Sequence, residues 1–309
     1  MSTQQVWPGG VRGADPRLGG SVLPGLVDAH VHLGLVDHRG LVSSPVVEVH
    51  DLGWVPGSRA GWAADLGPGV RVKAAGPFHT APGGYPQGRV WAPEGSVRPV
   101  TDAHDVTASV DAAVAGGAHT LKVTMHTGGP MLSPPLLHML VQAAHAAGLT
   151  VSAHAEGAGR ALAAFRAGID VLVHTPWTET LDDATLAAMA GRMTWISTFA
   201  IHDDPARSVA LDNARRFIAV GGRLRYGTDM GNGPTPVGVN TAEILALGRA
   251  GLEGEALLSA LTGVTSSSSP GPDRLLHSHL PPPRTAQDCA VWFSTARRLD
   301  VALAEVLPR

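Results

Sequence analysis

Histidine, lysine and aspartate recur at the ends of apolar segments in this sequence, and these residue types can bind a metal ion or carry a proton. The segments are VDAHVH, HTLKVTMH, TVSAHAEG, DVLVHT and LRYGTDMG, and their candidate residues are His30, His32, Lys122, His154, His174 and Asp229. Neutral imidazoles and carboxylates are ligands typical of zinc and related divalent ions. The pattern indicates a metal site, provided that the fold brings these segment ends together.

Spacing alone does not identify His30 and His32 as ligands. With 15 histidines in 309 residues, random placement gives about 0.7 His-x-His pairs. A second pair, His277 and His279, lies between a Ser/Pro-rich segment and a triple proline, where no strand is expected. Any one buried histidine can be a hydrogen-bonded core residue, and an aspartate after a strand can belong to a turn. The argument therefore depends on the five segment ends as a set.

Short β-type runs alternate with Ala- and Leu-rich helical stretches along the chain. Strands are predicted at 26–32, 46–52, 70–74, 120–125, 150–154, 171–174, 194–198 and 223–226. Helices are predicted at 103–115, 134–147, 157–167, 181–190 and 206–220. Alternation with short connections favours βα units and a parallel sheet. The number of strands predicts an α/β fold of the (β/α)8 TIM-barrel type rather than an open sheet.

Such a barrel would position the candidate residues. Catalytic residues of TIM-barrel enzymes come from the carboxyl ends of several strands, which meet at one face. His30 and His32 are two positions apart on a strand, so their side chains lie on the same side. Lys122 would be a buried cation, which is costly unless it has an acidic partner or is chemically modified. The Gly/Pro-rich segment 76–96 follows the third strand and is a candidate lid or substrate wall.

The sequence resembles the amidohydrolase superfamily, in particular its imidazolonepropionase/prolidase-like branch. The similar segments run in the same order over residues 22–270 and are LPGLVDAHVHLG, VHDLG, AAGPFHTAPGGY, GGAHTLKVTMHTGGP, AAHAAGLTVSAHAEG, AFRAGIDVLVHT and YGTDMG. The resemblance implies two divalent metal ions, with zinc as the first expectation and iron, manganese or cobalt as alternatives. It assigns one ion to His30, His32 and Asp229 and the other to His154 and His174. It further implies that Lys122 is carboxylated and bridges both ions.

The function implied by the resemblance is metal-dependent hydrolysis of an amide, peptide or cyclic amide C–N bond by attack of a metal-bound hydroxide. Asp229 would be the catalytic proton carrier. The enzyme would be a peptidase or would tailor a peptide or secondary metabolite. Two alternatives stay open: a lactone, ester or organophosphate hydrolase, and a non-catalytic barrel that binds a metal or ligand. Candidate substrate contacts are Tyr85, His126, His202 and His79.

Members of this branch usually carry a β-sandwich built from both chain ends, and we expect this domain to be vestigial or missing here. We expect residues 1–21 to be an N-terminal extension left from the sandwich and 22–270 to be the barrel. The tail, 271–309, would then be a possible sandwich remnant of two or three strands, or a rearranged segment with one helix.

Composition restricts the partners. A formal net charge of −3 and 16% charged residues give no reason to expect nucleic acid or an anionic membrane. No apolar run approaches the roughly 18 residues of a membrane span, and the N-terminus lacks the pattern of a secretory signal. Cys289 is the single cysteine, which fits a reducing compartment, so a cytoplasmic location is expected. The expected partner is a small-molecule or peptide substrate, and a homo-oligomer is left open.

Overall fold

A computed structural model describes residues 19–265 and 271–299 of the chain. Most of the predicted N-terminal extension, part of the Ser/Pro-rich segment near residue 268 and the last ten residues of the tail lie outside the described residues.

The described residues form strands and helices that alternate over most of the chain. The strands are β1 Ser21–Pro24, β2 Leu26–Val31, β3 Val46–Asp51, β4 Arg71–Ala74, β5 Phe78–Thr80, β6 Val97–Pro99, β7 Thr120–His126, β8 Thr150–Glu156, β9 Val171–Leu172, β10 Thr194–Ile196, β11 Arg223–Arg225, β12 Leu275–Ser278 and β13 Arg297–Arg298. The helices are α1 Ser58–Leu66, α2 Ala103–Ala115, α3 Pro134–Ala146, α4 Arg160–Ala167, α5 Asp183–Ala190, α6 Asp204–Ala219, α7 Thr241–Arg249, α8 Gly254–Thr262 and α9 Ala286–Thr295.

Two parallel sheets carry the predicted strands. One has seven strands in the order β11-β10-β9-β8-β7-β5-β6, and the other has the order β2-β3-β4. Main-chain hydrogen bonds join the two sheets: the Ala29 amide donates to the Tyr226 carbonyl (3.0 Å), the Asp229 amide to that of His30 (2.8 Å) and the His119 amide, just before β7, to that of Ala74 (3.1 Å). All the strands predicted in the barrel region are present, and the arrangement is compatible with a TIM-like barrel.

The segment after β4 contains more regular structure than predicted. β5 and β6 lie at the two ends of the Gly/Pro-rich segment and pair in parallel, with Phe78 opposite Val97. Each is three residues long, too short to show a periodic apolar pattern. Helix α1 was also not predicted, because its buried apolar side chains are only Trp62 and Leu66.

The buried apolar side chains form two separate clusters. A small cluster of Ala29, Leu52, Ala75, Val173 and Ile196 is separate from the large cluster that packs the strands against the helices. Among the helices of the described ranges, none is long and apolar enough to cross a membrane.

A third, antiparallel sheet joins the two ends of the chain in the order β1-β12-β13. Ser21 lies opposite Ser278, and the Ser21 hydroxyl accepts a hydrogen bond from the Trp292 indole of α9 (2.8 Å). His277 belongs to β12, so our expectation of no strand there was wrong. The cause is that β12 pairs with β1 across most of the chain length, a long-range contact that no local pattern shows.

An ionic cluster lies at the amino end of the parallel strands. The buried Glu48 carboxylate contacts His50 Nε2 (2.8 Å), Lys73 Nζ (2.9 Å) and a guanidinium nitrogen of Arg274 (3.4 Å). Burial alone would raise the pKa of Glu48, but the hydrogen bonds from His50 and Lys73 lower it below its ordinary value of 4.5. The carboxylate is thus ionised in the folded protein and ties β3, β4 and the C-terminal segment together.

We expect Glu48→Gln to lower the free energy of unfolding by about 2 kcal/mol at neutral pH, because charged hydrogen bonds are replaced by weaker ones. A group whose folded pKa is depressed stabilises the protein above its unfolded pKa, and this contribution is lost as the pH falls. The difference between variant and parent should therefore shrink below pH 4.5. Denaturant unfolding of both proteins at neutral and acidic pH measures this difference in the free energy of unfolding. The same difference at both pH values would contradict an ionised Glu48 in the folded protein.

Candidate metal centre

A cavity of about 230 Å³ lies at the carboxyl ends of the parallel strands. Eight of the residues that we predicted from the sequence line it together: His30, His32, Tyr85, Lys122, His154, His174, His202 and Asp229. Residues that the sequence reasoning did not select also line it, namely Phe78, Trp91, Trp177, Ile201 and Asn232. The five segment ends that motivated the prediction thus converge on one space.

His30, His32 and Asp229 form a group of ligand type. The Nε2 atoms of both histidines lie 3.4 Å from the same carboxylate oxygen, Asp229 Oδ1. One potential ligand atom from each of the three residues lies within 4.8 Å of the others. All three side chains are buried, so bulk water does not satisfy their polar atoms.

The hydrogen bonds behind the two histidines fit this group to a cation. His30 Nδ1 donates to the carbonyl of Val173 (2.8 Å) and His32 Nδ1 to the carbonyl of Gly53 (3.2 Å). A carbonyl can only accept, so each Nδ1 carries the proton and each Nε2 presents a lone pair. His30 Nε2 is buried with no hydrogen-bond partner among the described residues. Burial lowers the pKa of His32 to about 3, which keeps that imidazole neutral and able to bind a metal.

His154 and His174 present a second pair of imidazoles beside the first. The His174 ring lies 4.7 Å from that of His30 and 5.0 Å from that of His154, between ring centroids. His154 Nε2 donates to Glu156 Oε2 (2.9 Å), which leaves its Nδ1 as the lone pair. Burial lowers the pKa of both histidines. All four imidazoles are therefore neutral and can each offer a nitrogen lone pair to a metal ion in the same cavity.

Lys122 is 1% exposed and lies in the same cavity. Burial lowers the pKa of its ammonium group to about 7, against the opposing effect of the Asp229 and Asp51 carboxylates. Burial thus favours the neutral amine over the ammonium ion, and a neutral amine is nucleophilic.

Asp229 occupies a strained and well-supported position. Its φ of 53° lies in the left-handed region, which residues other than glycine seldom adopt. Its amide donates to the His30 carbonyl, and Asn232 Nδ2 donates to its Oδ1 (2.9 Å). Burial raises the pKa of the Asp229 carboxyl to about 7, which is suitable for a group that takes up and releases a proton. Strain of this kind is common at functional sites.

The four predicted substrate contacts lie in different places. Tyr85 and His202 line the cavity. His126 is not among the lining residues; its ring stacks on Tyr85 at 5.0 Å, and its Nε2 lies 3.3 Å from Glu156 Oε1. His79 is buried behind the site, where its Nδ1 donates to the main-chain carbonyl of Lys122 (3.0 Å).

Glu156 was missed by the sequence reasoning although it carries a readable signal. It lies two positions after His154 on the same strand and therefore on the same face. Its carboxylate contacts both His154 and His126, and the hydrogen bond from His154 lowers its pKa. Glu156 therefore fixes the orientation of one candidate ligand, His154, and links it to the end of β7.

Aromatic side chains form two walls of the cavity. Phe78, Tyr85 and Trp91 form one wall, in which the rings of Phe78 and Tyr85 each lie 6.0 Å from the Trp91 ring. Trp177 and His202 stack at 4.8 Å and form the other. Trp91 lies within the Gly/Pro-rich segment and Trp177 follows the strand β9. A tryptophan in such a connecting segment is the sequence signal that indicates these two residues.

His174 is held through a strained turn after β10. Its Nδ1 lies 2.8 Å from the hydroxyl of Thr198, a residue with φ 48°. The amides of the next two residues, Phe199 and Ala200, donate to the buried carboxylate of Glu243 (3.0 and 2.7 Å). Helix α7 therefore supplies the carboxylate that stabilises the turn, and the turn supplies the hydroxyl that orients His174.

We expect Thr198→Val to weaken zinc binding about 10- to 100-fold, the usual effect of removing a group that orients a metal-ligating histidine. Competition with a coloured chelator measures the affinity. The control is Thr120→Val, which removes a buried hydroxyl bonded to the Thr150 carbonyl away from the cavity. Equal zinc affinity in the two variants would show that Thr198 does not orient a ligand.

Comparison with known proteins identifies the fold. No protein-family model and no curated protein matches the sequence. Solved structures do: a Xaa-Pro dipeptidase with bound methionine (21% identity, TM-score 0.68, covering 88% of this chain and 83% of that one) and A. niger ochratoxinase (18%, 0.69, 89% and 80%). Phenylurea hydrolase B is also similar (15%, 0.68, 93% and 87%). The chain therefore shares its fold with these hydrolase structures, which agrees with the fold that the resemblance of its segments implies.

Proposed function

We propose that this protein is a metal-dependent hydrolase of amide C–N bonds. The observation that carries the proposal is the convergence of the His30 and His32 Nε2 lone pairs on Asp229 Oδ1, each at 3.4 Å. The similar structures include a dipeptidase and a phenylurea hydrolase, whose names denote hydrolysis of substrates with C–N bonds. We also propose that the strands close into an eight-stranded barrel and that the antiparallel sheet is the remnant of a β-sandwich.

His30, His32 and Asp229 would hold one divalent ion, and His154 and His174 the other, with zinc as the first choice. Ions bound there would lower the pKa of a water molecule and polarise the substrate carbonyl. Asp229 Oδ1 faces the two histidines and Asn232, so a proton from the attacking water would be taken up on Oδ2. The same oxygen would then deliver that proton to the departing nitrogen, which leaves as a neutral amine.

Lys122 would complete the ligand set as a carbamate. The neutral amine attacks carbon dioxide, an N–C bond forms, and one proton leaves the nitrogen for solvent. The product is an anion in place of a cation, and its oxygens would bind the metal ions together with the histidine lone pairs and Asp229; bound cations would offset the repulsion among these electron-rich groups. Support comes from the burial of Lys122 and the lowering of its pKa to about 7.

The cavity walls favour a neutral substrate with an aromatic or branched apolar group. Trp177 and His202 form one face and Trp91 with Tyr85 the other, so a flat group can lie between them. Among the described residues that line the cavity, none is an arginine, and Lys122 is the one lysine. A substrate carboxylate would therefore have no guanidinium partner there.

We expect Asp229→Asn to reduce kcat by about 10²- to 10⁴-fold, because the amide cannot carry the proton. The variant should still bind metal, and the parent should hold about two ions per chain. Metal analysis of the purified protein and hydrolysis of an N-acyl amide with zinc supplied give the two measurements. Asp111→Asn, at an exposed position of α2, is the matched control. Full turnover by Asp229→Asn, or less than one ion in the parent, would refute the mechanism.

We expect N-benzoylphenylalaninamide to be hydrolysed with a kcat/KM about tenfold or more above that of N-benzoylphenylalanine. The free acid would lose roughly 1.4 kcal/mol of transition-state stabilisation, because its carboxylate would be buried without a partner. Trp177→Ala should raise KM for the neutral substrate. Preference for the free acid would contradict the substrate assignment. Faster hydrolysis of the corresponding ester alone, with no amide cleaved, would contradict the proposed bond type.

A further inference from the structure

A second cavity, of about 190 Å³, lies on the other side of the strands from the metal centre, between α1 and α2. Its walls include the apolar side chains of Trp54, Val55, Trp62 and Ala113. Gly57, Arg59 and Ala60 also line it and are exposed, so the cavity opens to solvent beside α1. A space of this size can hold a single aromatic ring with a short substituent.

Two polar atoms in the lining have no partner. His79 Nε2 and Ser109 Oγ are buried without a hydrogen-bond partner among the described residues, and each side chain belongs to a residue that is 1% exposed. Leaving such groups unpaired costs free energy. His79 Nδ1 already donates to the Lys122 carbonyl, so Nε2 can only accept. The Ser109 hydroxyl can both donate and accept.

Helix α2 contributes the open volume because it presents small residues to the cavity. Ser109, Ala112, Ala113 and Gly116 all line it, at a spacing that places them on one helical face. The half-buried Arg98, whose Cα is paired with that of His79 across β5 and β6, lies at the same wall. Apolar walls with a few converging polar groups are typical of small-ligand sites.

We propose that this cavity is a binding site for a small aromatic or alicyclic alcohol. The ligand hydroxyl donates to His79 Nε2 and accepts from the Ser109 hydroxyl, while its apolar ring packs against Trp54, Trp62 and Val55. A hydrocarbon would leave both buried polar atoms unpaired. A carboxylate would place its acceptor oxygens against the lone pair of His79. An alcohol has one donor and one acceptor at the same atom, and so matches both partners.

The site lies close behind the metal centre. A bound hydroxyl is connected to the Lys122 main chain through the two ring nitrogens of His79. Asp51 also lines the cavity, and its carboxylate accepts hydrogen bonds from the amides of Leu33 and Gly53. Leu33 follows His32 in the chain, and the Gly53 carbonyl accepts from the His32 ring. The inference does not depend on the proposed hydrolysis, since it concerns binding at a separate cavity.

Benzyl alcohol is the probe, and ethylbenzene, in which a methyl group replaces the hydroxyl, is its matched control. Ligand-detected NMR titration of the full chain should show benzyl alcohol binding about three- to tenfold more tightly than ethylbenzene, the usual effect of pairing buried polar groups. Ser109→Ala should remove most of that difference. Equal binding of the two probes would overturn the proposal, because the polar atoms would then select nothing.

Location is tested by two substitutions on α2 and one in the metal centre. Ala113→Leu fills the cavity and should abolish binding, whereas Ala115→Leu, at an exposed position outside the lining, should not. Trp177→Ala should leave benzyl alcohol binding unchanged. Loss of binding in Trp177→Ala, with retention in Ala113→Leu, would place the probe in the metal centre and refute the proposal. A crystal soaked in benzyl alcohol that shows only a water between His79 and Ser109 would also refute it.

Discussion

The protonation of buried imidazoles is the constraint on which this site depends. A histidine can bind a metal ion only through a ring nitrogen that carries a free lone pair. The other ring nitrogen is then protonated and, when buried, needs a hydrogen-bond acceptor. The fold supplies those acceptors from different elements: the Val173 carbonyl for His30, the Gly53 carbonyl for His32, and the Glu156 carboxylate for His154. The strand ends and their loops thus do two things: they bring the candidate ligands together, and they supply the acceptors that fix the tautomer of each histidine.

This constraint explains features of the structure that are costly on their own. Thr198 and Asp229 both adopt left-handed backbone conformations, and each makes a contact to a candidate ligand that an ordinary turn would not make. Glu243 is buried deep in the protein, yet both its oxygens accept main-chain amides of the turn after β10. The strain at the site is therefore balanced by hydrogen bonds from the surrounding helices.

The strands, and the residues that converge on the cavity, could be predicted from the sequence because both follow local rules. Apolar runs that end in His, Lys or Asp mark the carboxyl ends of buried strands, and these ends meet in one place in a parallel α/β fold. The supporting residues were harder to predict. Thr198, Glu243 and Asn232 act through contacts set by loop conformation, and β12 forms only because it pairs with β1 at the opposite end of the chain. His79 was expected at the substrate, but it lies behind Lys122, since β5 turns its side chain away from the cavity.

The central claim is that the converging lone pairs hold metal ions. Anomalous diffraction at the zinc absorption edge, from crystals grown with zinc, tests it most directly. The account predicts one strong peak in contact with His30, His32 and Asp229 and a second in contact with His154 and His174. Strong peaks only at the protein surface, with none among these residues, would contradict it.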